Sequence, residues 1–387
     1  MSNALAKTSA EEALGVSLPH RRMEEWRWTD LRRAIVWDYK PLAERASSKI
    51  VGDLLSFSPF AKIAKARVAF VDGQFCEEHS ILASLEIVPV AAFETQDPLI
   101  EMNAAMKPQG IGLRFSGNAQ FLTEIIHIST LPAKQAAAYR HSIEVVEGAS
   151  ASIVETFWMW SGDLTNSVVT YNIGKNAKLD RLKYQYDEDD SKHLSHIIYN
   201  LEEGSRLNDV SVTIGAGLTR QNGNCNFNGP HAEAKISGAY LLKGKQHADT
   251  RLVINHTVPN CTSREMFKIV LDDNARGIFQ GKVVVARDAQ KTDGKQSSHA
   301  LLLSENAEFD AKPELEIYAD DVVCGHGATA GDINHDHLFY LQSRGIPEAE
   351  AKSLLIAAFV GEVFDLVADE GAQAALVEIA AQWLVKA

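Results

Sequence analysis

A small residue behind a glycine or asparagine returns every 28 residues, and this spacing constrains the chain more than any other feature. It appears in Glu147-Gly148-Ala149-Ser150-Ala151, Lys175-Asn176-Ala177-Lys178-Leu179 and Glu203-Gly204-Ser205-Arg206-Leu207. Looser copies stand at Pro230-His231-Ala232, Asp273-Asn274-Ala275 and Glu305-Asn306-Ala307. Each leads into a strand-like run such as Val210, Val212 and Ile214 alternating with polar residues. A turn-then-strand unit cannot bury its own apolar face, whereas stacked units share one continuous core. A mainly β chain with a β-helix or related solenoid follows for residues 123–333. A sandwich, whose strands recur every 8–12 residues or so, is the structural rival.

The flanks differ in texture. Residues 1–122 form a mixed, mostly helical region. Ser9-Ala10-Glu11-Glu12 offers a helix start, and Arg21 to Arg33 is an amphipathic surface segment anchored by its tryptophans. Asp72-Gly73 between two apolar runs signals a tight turn. Residues 334–387 form a helical region. A short helix spans His335 to Ser343, Gly345 breaks it, Pro347 opens a second helix, and a third runs from Gly371 to Trp383. The flanking helices are expected to cap the ends of the solenoid, whose edge strands must be covered or paired.

Composition excludes several functions. With 51 acidic against 38 basic side chains, the net charge is -13, which opposes binding to a phosphate backbone. No apolar run reaches the ~18 residues of a membrane helix, and Met1 to Lys7 lacks a secretory pattern, so a cytoplasmic protein is expected. Cys76, Cys225, Cys261 and Cys324 lie far apart, which suits neither a disulfide framework nor a self-contained four-cysteine metal site. Gly294-Lys295 is followed by Gln296, so no phosphate-binding loop exists there, and no nucleophile elbow occurs.

The remaining chemistry sits in Asp320 to Gly331, where Cys324 and His326 stand two apart in a glycine-rich loop. Residues two apart on an extended segment share a side, and thiolate and imidazole suit iron, zinc or copper. His335 and His337 could extend this to four ligands, but at a helix start they are expected to face solvent. His256 is expected to be a core histidine with a hydrogen-bond partner, and Cys225 and Cys261 small buried hydrophobes.

The runs Pro313 to Gly331 and Leu338 to Ile346, together with Gly281-Lys282-Val283-Val284-Val285 and His299 to Ser304, resemble the SufB/SufD family of iron–sulfur cluster assembly scaffolds. His256-Thr257-Val258-Pro259-Asn260-Cys261-Thr262-Ser263 is similar to the family's H-x-x-P-x-[CT]-x-S segment, and Glu25-Trp26-Arg27-Trp28-Thr29 to the N-terminal tryptophan motif of its SufD branch. Cys324-Gly325-His326 departs from that branch's Cys-Ser-His at Gly325. No counterpart of the SufB cysteine that receives sulfur is assignable.

The resemblance implies a right-handed parallel β-helix and a non-catalytic scaffold subunit. It implies a heterodimer with SufB, SufC ATPase subunits docked on the C-terminal helices, and sulfur delivered by a cysteine desulfurase through the complex. Leu354, Leu355, Phe359 and Val363 are the expected docking face. No stably bound cofactor is implied. A transient cluster would form at the SufB interface with His326 and Cys324 as its metal ligands here, and a reduced flavin is a further cofactor of the complex. Self-association through the same strands stays open for the chain alone. So does a metalloenzyme or small-molecule-binding β-helix using Cys324 and His326 by themselves; dependence on a partner for loading iron separates the two.

Overall fold

The computed structural model describes residues 6–39, 46–92, 97–131 and 134–385, with the side chains of 119, 120 and 385 left aside. Residues 1–5, on which the reading of the N-terminus partly rests, lie outside the described residues. Among the described residues no helix is long and apolar enough to cross a membrane.

The chain winds into a parallel β-solenoid of about seven turns, and consecutive strands alternate between a ten-stranded and a nine-stranded sheet. The strands of the first sheet start at Ser150, Lys178, Arg206, Glu233, Thr262, Asp293 and Val323. Those of the second start at Leu164, Lys192, Leu218, His247, Arg276 and Glu308. Every pair is in parallel register, for example Lys178 beside Arg206 and Lys192 beside Leu218.

The 28-residue signal is a corner. Gly148, Asn176, Gly204, His231, Asn260 and Lys291 all take left-handed φ between 55° and 72°. The residues after them, Ala149, Ala177, Ser205, Ala232, Cys261 and Thr292, are buried. There the two sheets converge, so the inward position admits only a small side chain. The looser copies at Ala275 and Ala307 belong to the opposite corner, half a turn away, because they lead into the second sheet at Arg276 and Glu308. The sequence series therefore mixed two corners of one coil.

The helices do not cap the ends, contrary to expectation; they cover the outer faces. Helix Ser9–Leu14 and the Trp26 segment pack with Leu99 and Met102 on Leu164, Leu194 and Leu218 of the second sheet. The first helix is capped by Thr8 rather than by Ser9: Thr8 Oγ1 accepts from Glu11 N–H and Glu11 accepts from Thr8 N–H. Helices Glu348–Phe364 and Glu370–Val385 place Ile356, Val360, Phe364 and Leu376 on Val154, Leu182, Val210 and Val212 of the first sheet. An asparagine ladder, Asn172, Asn200, Asn226 and Asn255, ties four turns of the second sheet through side-chain amide bonds of 2.9–3.0 Å.

The two ends of the coil differ. At the first, Gln74–Phe75 and Glu86–Val88 pair antiparallel and finish the two sheets with very short strands; Asp72 and Gly73 make the expected tight turn, both with positive φ. At the last, the ten-residue strand Glu308–Ile317 and the nine-residue strand Val323–Gly331 end their sheets with an outer edge that no strand among the described residues pairs.

Candidate functional site at the open end

Cys324 and His326 lie on the terminal strand Val323–Gly331, in register with Gly294 and Gln296 of the turn before. Cys324 packs against the interior core, and alternation along the strand puts His326 on the same inward side. Cys324 is half-buried while His326, at the rim, is exposed. Burial raises the Cys324 thiol above its ordinary value, with Asp293 adding to the shift and the Gly294 backbone opposing it. The free chain therefore presents a thiol, and a metal or a cation from elsewhere must make the thiolate. Nothing lies within 4 Å of a Cβ added at Gly325, so the serine of the resembling motif would fit here unhindered.

His335 and His337 are exposed on the following helix. Among the described residues no three of His, Cys, Asp or Glu gather to hold a metal ion. The pair Cys324 and His326 is thus an incomplete ligand set at an open edge. Around it Ile317, Tyr318 and Val323 expose large apolar side chains, Tyr318 and Val323 at 63%. Exposed hydrophobes beside two rows of unpaired backbone groups make a surface suited to another strand.

Three of the four residues of the expected docking face are turned inward. Val363 is fully buried against the first sheet, and Leu355 and Phe359 are half-buried in the same cluster. Lys268 Nζ lies 4.6 Å from the centre of the Phe359 ring and 2.9 Å from Glu362. The apolar face of this helix is spent on its own sheet, and of the four residues only Leu354 is exposed. The uncovered surface lies on the preceding helix, His335–Ser343, which Asn334 caps and which buries no residue, with Phe339 71% and Tyr340 56% exposed.

Sequence reading missed the charged interior. Arg181, fully buried, reaches Glu155 at 2.6 Å and Asp209 at 2.7 Å, and Tyr171 donates to Glu155. Although burial raises it, Glu155 is held low by Arg181 and Tyr171, whereas burial leaves Asp209 raised. Lys183, also buried, donates to Gln185 and Gln221, and burial beside Arg181 lowers it to about 7. The signal was present: Arg181, Lys183, Gln185 and Asp187 alternate with Leu182, Tyr184 and Tyr186 along one strand. His256 is core-facing as expected, 3.0 Å from Ser263 Oγ and stacked on Phe227, and Cys225 and Cys261 are buried. A cleft of about 620 Å³ lies away from Cys324, between Trp158, Tyr184 and Trp383.

Comparison with known proteins accords with this geometry. A family model described as the SUF system FeS cluster assembly, SufBD core domain, matches residues 127–359. The chain is similar to the iron–sulfur cluster assembly protein SufD of Escherichia coli strain K12, 30% identical over 95% of this chain and 89% of that protein. It is similar also to an iron–sulfur cluster assembly SufBD family protein of Synechocystis, 28% identical over 93% of this chain and 86% of the relative. A SufBD family protein of Mycobacterium leprae is 31% identical over 64% of this chain and 65% of its own length.

Proposed function

Given that the chain belongs to the SufB/SufD family of iron–sulfur cluster assembly proteins, we propose that it is a scaffold subunit without turnover of its own. Its last turn pairs edge to edge with a SufB-type partner in the cytosol. A nascent cluster forms at that junction from iron and from sulfur delivered by a desulfurase. His326 and Cys324 are the ligands this chain contributes, and the partner completes the set. A SufC-type ATPase docks on Phe339, Tyr340 and Leu354, and its closure shifts the terminal turn against the partner.

The carrying observation is the asymmetry of the solenoid. One end is finished by short antiparallel strands, and at the other, among the described residues, two long strands keep an open outer edge, with Cys324 and His326 on one of them. Imidazole suits transient ligation because it binds iron and exchanges readily. A nine-residue helix with no fully buried residue is marginal alone, which supports a partner on its Phe339 face.

The test is anaerobic reconstitution with SufB- and SufC-type partners, reading complex mass, iron and sulfide. His326→Ala should assemble and fail to accumulate cluster, while Phe339→Glu should lose the ATPase and keep the SufB-type partner. A His326→Ala complex that loads normally would place the ligands wholly on the partner.

A further inference from the structure

The two columns of side chains beneath the open end run Ser263, Gly294, Cys324 and Glu265, Gln296, His326, one residue from each of the last three turns of the first sheet. Glu265 and Gln296 are both buried. Gln296 Nε2 donates to Glu265 Oε2 at 2.7 Å. With the amide turned this way the acceptor that Gln296 has left is Oε1, and Oε1 is buried without a partner, as is Glu265 Oε1. The room for the amide is made by Gly281 on the opposite sheet: a Cβ there would lie 1.7 Å from Nε2.

A buried carbonyl oxygen without a donor is uncommon and calls for a reason. On the last turn Phe309, Leu315 and Cys324 pack against the core, and His326, two residues on from Cys324 and in register with Gln296, carries a ring N–H on that side. Adjacent in-register strands lie about 4.8 Å apart, within reach of a single rotamer change of the imidazole.

We propose that Gln296 is the positioning residue of His326: its Oε1 accepts a hydrogen bond from one imidazole nitrogen once a partner strand covers the last turn, leaving the other nitrogen's lone pair aimed at the cluster. Glu265 holds the amide the right way round. A second partner that fixes the tautomer is the usual companion of a ligating histidine. The inference rests on His326 being a ligand.

The experiment uses the reconstituted three-protein complex, loaded anaerobically with ferrous iron and sulfide. It reads cluster content and the histidine nitrogen coupling of the reduced cluster in pulsed electron paramagnetic resonance. Gln296→Leu should assemble at wild-type mass, lose at least fivefold in cluster content and lose the nitrogen coupling. Glu265→Gln, which still offers an acceptor to the amide nitrogen, should keep both, and Glu265→Leu should not. Wild-type coupling and content in Gln296→Leu would overturn the inference alone. Wild-type coupling in His326→Ala would overturn the ligand reading beneath it. If Gln296→Leu fails to assemble, Gly281→Ala, whose methyl displaces the amide, decides by the same two readouts.

Discussion

The guanidinium of Arg220 lies 4.3 Å from the centre of the Trp26 ring. Arg220 is fully buried, bonded to Asp249 and to the Glu25 carbonyl, and Thr29 Oγ1 donates to the same Asp249 at 2.6 Å. A segment near the start of the chain is thereby fastened to the middle of the solenoid.

Trp26→Ala should detach that segment rather than unfold the coil. Removing a fully packed tryptophan costs about 3–5 kcal/mol. Limited proteolysis should cut between residues 18 and 35 in the variant and spare the solenoid, whose amide exchange should remain slow.

Arg181→Met should be among the most damaging single changes in the interior. It leaves Glu155 and Asp209 buried without their cation, and breaking such a pair costs about 3–5 kcal/mol. Replacing all three with apolar residues of similar volume should recover most of the loss in urea unfolding.

Lys183 gives a pH dependence of definite sign. Its folded value, about 7, lies below the ordinary 10.5. Between these values the unfolded chain binds more protons, so this residue makes stability rise as pH climbs from 7 to 10.5. Melting temperatures of Lys183→Met should be flatter than wild type across that interval.

Acid should act through the buried histidines. Burial lowers His141, His193 and His256 to about 4 and holds His127 well below its ordinary value, with His127 and His141 2.9 Å apart. Their neutral forms support the fold, and that contribution is lost as pH falls from 6.5 toward 4. His127→Phe, set between Phe70 and Phe157, should shift the acid midpoint downward in circular dichroism.

The corners were legible because left-handed backbone favours glycine and asparagine and because Ala149, Ala177 and Ser205 must be small. His231 and Lys291 adopt the same conformation with no such marker, which is why the period blurs toward the C-terminus. The helices' placement was hidden because a strand covered on both faces loses its alternation. Leu182 and Tyr184 face outward under a helix while Arg181 and Lys183 face in. Cys324 and His326 stood out as a motif. Gln296, one turn earlier, becomes visible only when the period of the coil is laid under His326.

The open end is also the last of the coil to leave the ribosome. Domains fold from the N-terminus as the chain emerges, so the finished first end can form before Val323–Gly331 exists, while the helices that cover the first sheet, Glu348–Phe364 and Glu370–Val385, are still to come. The surface a companion subunit would take up is thus complete only when the rest of the coil is already built.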